Sequence, residues 1–84
     1  MKNEEILKKM REQNIDVEIT CVFSNREDGQ IKIGYRYLIS AWDKHNVMLR
    51  NIYTDDVYRS YEAAVIAAIT RARTELNINL QYVD

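Results

Sequence analysis

The feature that most constrains this chain is a run of ten residues, Ile31 to Ser40, in which two sets of side chains alternate. Ile31, Ile33, Tyr35, Tyr37 and Ile39 fall on one side of an extended backbone. Lys32, Gly34, Arg36, Leu38 and Ser40 fall on the other. A period of two is the pattern of a β-strand with one face buried. A second alternating run comes before it, with Val17, Ile19, Cys21 and Phe23 opposite Glu18, Thr20, Val22 and Ser24. Between them, Asn25 to Gln30 contains Asp28-Gly29, which supplies the positive φ that a tight turn needs. Together the runs predict an antiparallel hairpin, and the rest of the fold has to be built around it.

The flanking segments change period. Over residues 3–14, Ile6, Leu7 and Met10 share one helical face, with Lys8, Lys9, Arg11 and Glu12 opposite. Asn3 is the expected N-cap, with Glu4 and Glu5 in the first turn, where the helix dipole favours negative charge. Asn14 is expected to end the helix in the left-handed conformation, with Ile15 packing back. After the hairpin, Asp43-Lys44-His45-Asn46 breaks the pattern, Val47 to Thr54 predicts a third strand, and Thr54-Asp55-Asp56 turns the chain. Ser60 then caps a helix running to Leu76, whose inward stripe is Tyr61, Ala64, Val65, Ala68, Ile69, Ala72 and Leu76. The tail, 77–84, alternates Ile78, Leu80 and Tyr82 and is expected to form an edge strand or an arm. The fold class is therefore α+β in the order helix-strand-strand-strand-helix. Its antiparallel three-stranded sheet is expected to carry both helices on one face and leave the other open.

Size and composition limit what this frame can do. The 84 residues suffice for one modest core, so a single domain over 1–84 is expected. No apolar run approaches the roughly 20 residues that cross a bilayer, and Met1 to Glu5 lacks the apolar stretch of a signal peptide. Cys21 is the sole cysteine, so no intrachain disulfide can form, as is usual inside cells. Twelve basic and thirteen acidic residues give no bulk attraction to nucleic acid or anionic lipid. The expected location is the cytoplasm, with no membrane association.

Catalytic chemistry finds no constellation. His45 sits in a predicted turn without partners at ligand spacing. Cys21 shares a strand face with Val17, Ile19 and Phe23, where a thiol is expected to be buried and inert. The adjacent Asp55 and Asp56 suit turn formation and capping better than convergence on one ligand. Gly29 and Gly34 do not form a phosphate-cradling loop. The expectation is a non-enzyme with no metal and no cofactor.

Surfaces carry more information. Trp42, Tyr53, Tyr58 and Tyr61 gather around the third strand and second helix, and such side chains anchor interfaces as well as cores. Ala63, Ile66 and Ala67 make the outer side of the second helix apolar as well, which suggests a second copy or another protein against it. Ala63, Ile66, Ala67, Trp42, Tyr53 and Tyr58 are thus candidate interface residues. Lys32 and Arg36, with Arg50 on the third strand, are expected to form a basic patch on the open sheet face, able to bind an anion or nucleic acid.

Two resemblances follow from these segments. Ser60-Tyr61-Glu62-Ala63-Ala64-Val65-Ile66-Ala67-Ala68-Ile69, with the Asn14-Ile15 helix end and the hairpin, resembles short uncharacterised proteins of phages and mobile elements of gut bacteria. The element order is also similar to the double-stranded RNA-binding domain, whose last helix is likewise alanine-rich. That family contacts phosphate through a Lys-Lys-x-Ala-Lys helix start. Here Tyr61-Glu62-Ala63-Ala64 has no lysine, and Asn25 to Gln30 has no histidine for the minor groove. The leading expectation is a non-catalytic protein-interaction module, a phage or mobile-element inhibitor of a host system. The alternative is a nucleic-acid-binding domain on Lys32, Arg36 and Arg50.

Overall fold

In the computed structural model, which describes residues 2–76, the elements are α1 (Asn3–Glu12), β1 (Ile15–Arg26), β2 (Gly29–Trp42), β3 (Met48–Tyr53) and α2 (Tyr61–Leu76). The strands form one antiparallel sheet in the order β1-β2-β3. The expected α+β architecture is the one observed. The tail over 77–84 lies outside the described residues.

Local chemistry sets the boundaries. Asn3 is not the cap but the first helical residue, and Lys2 stands at the cap position without a side-chain bond. Its carbonyl accepts from Glu5 N at 3.0 Å and Ile6 N at 3.2 Å. Asn14 has φ 61°, so the turn from α1 into β1 uses the left-handed conformation that asparagine tolerates. In the β2–β3 turn, the Asp43 carboxylate accepts from His45 N at 2.8 Å and Val47 N at 3.0 Å, and Asn46 has φ 62°. Ser60 caps α2 as expected, its Oγ accepting from Ala63 N at 3.1 Å.

The core lies between the helices and one sheet face. Met10 and Ile39 are its largest fully buried side chains, joined by Ile6, Ile15, Tyr37, Ala41, Ile52, Val65 and Ile69. Ala64, Ala68 and Ala72 recur every fourth residue along α2 and are completely buried. Their missing bulk lets the helix lie close to the sheet.

Element lengths decide where that core stops. A helix of 16 residues spans about 24 Å, whereas a strand of 14 spans about 46 Å. The Tyr61 ring packs edge-on against Tyr35, and Arg50, beside Ala41 in the register, pairs with Glu75. The helix therefore covers β2 only from Tyr35 to Ala41. The distal hairpin projects beyond both helices, giving a radius of gyration of 14.4 Å against about 12 Å for a compact chain of this length. Several expected core residues are exposed: Cys21 and Phe23, the latter at 54%, lie at or beyond the limit of the helix-covered stretch, while Ile31 and Ile33, the latter at 50%, lie at the register irregularity of β2. Tyr61, expected in the buried stripe, is also exposed.

Two register irregularities shape the sheet. Val22 faces Gly34 while Phe23 faces Lys32, so Ile33 is the extra residue of a bulge in β2. Ala41 faces Arg50 while Trp42 faces Met48, which makes Leu49 the extra residue in β3. Beyond β3 the chain returns to β2, where Tyr35 and Tyr58 exchange two backbone hydrogen bonds of 2.7 Å.

Candidate functional site

Cross-strand register shows which residues share the open face. Glu18, Leu38 and Tyr53 stand in line across the three strands, as do Asp16, Ser40 and Asn51, with Ser40 Oγ 2.9 Å from Asn51 Oδ1. Thr20 faces Arg36 in the same layer. Around Leu38 and Tyr53 these side chains line a shallow cleft of about 330 Å³, with Glu18, Thr20, Arg36 and Thr54 contributing. Tyr53 is 67% exposed and Leu49 65%, and Val47, Met48 and Trp42 extend the exposed apolar surface along β3 and the turn before it.

The expected basic patch is not assembled there. Arg36 alone of its three members lies on the open face, opposite Thr20. Lys32 is carried to the other side by the β2 bulge, where its ammonium donates to the Tyr35 hydroxyl, an arrangement that raises its pKa. Arg50 stands beside Ala41 on the helix-bearing face, with its guanidinium 2.8 Å from Glu75 Oε1. Alternation alone misplaced Lys32 because an extra residue flips the facing of all that precede it. It misplaced Arg50 because the third strand had no anchored register.

The apolar outer side of α2 also differs from expectation. Ala67 packs against the core and Ala63 is half-buried, which leaves Ile66, 50% exposed, without a large apolar neighbour among them. Of the candidate aromatics, Trp42 and Tyr53 are on the surface, whereas Tyr58 is half-buried and packed on the core. His45 is exposed in its turn.

A polar network that sequence reasoning missed joins the 54–60 segment to the domain. Asp55 Oδ1 accepts from the hydroxyls of Tyr37 and Tyr58, each at 2.8 Å. Arg71 NH1 donates to Tyr37 Oη at 3.2 Å and to the Tyr53 carbonyl at 2.6 Å, while its Nε pairs with Glu75. The two tyrosine hydroxyls hold the Asp55 carboxyl below its ordinary value. Burial and then the hydrogen bond to Asp55 push Tyr58 up to about 12. Burial raises Tyr37 as well. The Tyr37 and Glu75 partners hold Arg71 still more firmly in its charged form. The adjacent aspartates divide the labour, since Asp56 Oδ1 accepts from Val57 N at 2.7 Å and turns the chain. Both therefore serve structure, and the sequence hint was only their position after a strand end.

A second recess, of about 450 Å³, lies between the starts of the two helices and is lined by Lys2, Glu4, Leu7, Tyr61, Glu62 and Val65 among others. Its acids, Glu4 and Glu62, occupy first helical turns, where the dipole already accounts for them. Comparison of the chain with protein-family models, with curated proteins and with solved structures found no match.

Proposed function

We propose that this chain is a small non-catalytic protein-interaction module whose partner docks on the open face of the sheet at β2 and β3. The supporting observation is the row of exposed apolar side chains there, Tyr53, Met48 and Trp42, continued by exposed Leu49 at the adjoining bulge and Val47 in the turn, on a sheet with both helices on its other side. Aromatic and aliphatic anchors ringed by polar groups suit a protein partner, and Ser40, Asn51, Arg36 and Glu18 supply the polar groups. With the resemblance to short phage and mobile-element proteins, this reading extends to an inhibitor of a host system acting in the cytoplasm.

The test is affinity capture from the native cells with the wild-type chain, with Leu49→Asp and Tyr53→Asp, and with Lys8→Asp as a control on exposed α1. The expected result is a partner retained by wild type and control and lost by both face variants. A capture profile indifferent to Leu49 and Tyr53 overturns the assignment. A salt-dependent shift of RNA or DNA at about 50 mM salt, abolished by Lys32→Glu with Arg36→Glu, would replace it with nucleic-acid binding.

A further inference from the structure

We propose that two copies of this chain associate through the free edge of β1, in antiparallel register with Cys21 on the two-fold axis. The surface is separate from the β3 side, so the docking proposal above and this one stand or fall independently.

The backbone defines the edge. Tyr35 exchanges both of its main-chain hydrogen bonds with Tyr58, so its N–H and C=O point away from β1. Facing residues of an antiparallel ladder either bond to each other or both turn away. Cys21 faces Tyr35, so its own N–H and C=O are directed off the sheet. The other end of the strand agrees: Trp42 N donates to Asn14 O at 2.9 Å, which turns the neighbouring Ile15–Ala41 pair away from each other. By alternation, Val17, Ile19, Cys21 and Phe23 all present donors and acceptors outward. Among the described residues no backbone group pairs with this row. β1 runs for 12 residues, and the extra residue opposite Val22 lies in β2, so the outward row stays regular. β3, the other edge, has 6 residues and its own bulge, the arrangement that hinders edge pairing.

Side chains select the occupant and the register. With Cys21 on the axis, Asp16 faces Arg26 of the second copy and Arg26 faces its Asp16, two opposite-charge pairs from one symmetric contact. Neither residue forms a salt bridge within the chain among the described residues. The same register sets Ile19 opposite Phe23 twice, on the helix-bearing face. Ile19 packs against the core near the helices, whereas Phe23 is on the bare distal hairpin. The helix-covered half of each copy thus lies beside the uncovered half of the other, and the exposed Phe23 gains the cover that α2 is too short to provide.

The test is sedimentation of the full chain under reducing conditions, from micromolar to millimolar concentration. A dimer is expected, with Asp16→Arg weakening it about tenfold or more and Asp16→Arg with Arg26→Asp restoring it to within about threefold. Both side chains are exposed, and unchanged circular dichroism verifies that the variants fold. The register is checked with diamide, which takes two electrons and two protons from two thiols. Facing residues about 5.5 Å apart at Cα are within disulfide reach. Cys21 should cross-link in wild type and in the double variant, and at least about tenfold more slowly in Asp16→Arg. A monomer at every concentration, a dimer indifferent to Asp16→Arg, or a charge swap that does not rescue would each overturn the proposal.

Discussion

At the scale of single residues, Gly34 is the position the structure tolerates least change in. A Cβ there would come within 2.5 Å of Tyr58 O and 2.6 Å of Val57 Cγ1. The returning 57–58 backbone crosses β2 at this point, and glycine inside a strand commonly marks such a close approach. Gly34→Ala is expected to destabilise by about 1–3 kcal/mol, measured by urea unfolding. Asp55 sets a pH signature. Its folded pKa lies below the unfolded value of about 3.9, so its contribution is present above that value and is lost as pH falls through the folded one. Asp55→Asn should therefore be less stable than wild type at pH 6, with the difference narrowing as pH falls below about 3.9. Tyr58 acts with the opposite sign. Raised to about 12 from an unfolded value near 10, its contribution is complete below pH 10 and is lost as pH rises toward 12. Tyrosinate absorbance with Tyr58→Phe as reference should assign to it an ionisation later than that of an ordinary tyrosine.

At the scale of elements, the mismatch between a long hairpin and a shorter helix, together with the β2 bulge, divides β2 into two regimes. Ile39 is fully buried under α2, whereas Ile33, on the distal part of the same strand, is half exposed. Ile39→Ala is expected to cost about 2–5 kcal/mol through the cavity it leaves, and Ile33→Thr less than about 0.5 kcal/mol. Equal costs for the two would show that the distal hairpin is covered in solution. The alanine stripe of α2 makes the converse point. Ala68 is completely buried against the sheet, and Ala68→Leu should destabilise by about 1–3 kcal/mol through overpacking, although leucine is a good helix former.

At the scale of the whole molecule, Arg71 links more elements than any other charge in the network. It reaches Tyr37 on β2, the Tyr53 carbonyl at the end of β3 and Glu75 on its own helix. Arg50 also meets Glu75, but its side chain is 48% exposed and solvent screens the pair. Thermal unfolding should show Arg71→Ala lowering the midpoint more than Arg50→Ala does, because Arg71 ties three elements together and the Arg50 pair is screened. Had the three candidate cations shared one face, Arg50 would be a free ligand group. Its engagement with α2 and that of Lys32 with Tyr35 leave Arg36 as the one of these three cations on the open side.

The residues themselves determined the elements and their order, because alternation, helical periodicity, Asp28-Gly29, Asn14 and the Ser60 cap are local signals that act within a few residues of where they stand. They also determined the antiparallel hairpin, since turn and register are set by the same short segment. Tertiary structure alone decided which side chains are buried and which share a face. Phe23 is exposed because α2 ends before it can cover it, a consequence of two rises per residue that only packing brings together, and Ile31 because the β2 bulge turns it to the open face. Lys32 and Arg50 changed sides because one inserted residue in β2 and one pairing register in β3 belong to the pairing between strands, which no single segment carries. The links of the Asp55 network from Tyr37 to Asp55 and to Arg71 span 18 and 34 positions, so the only local mark was the place of the aspartates after a strand end.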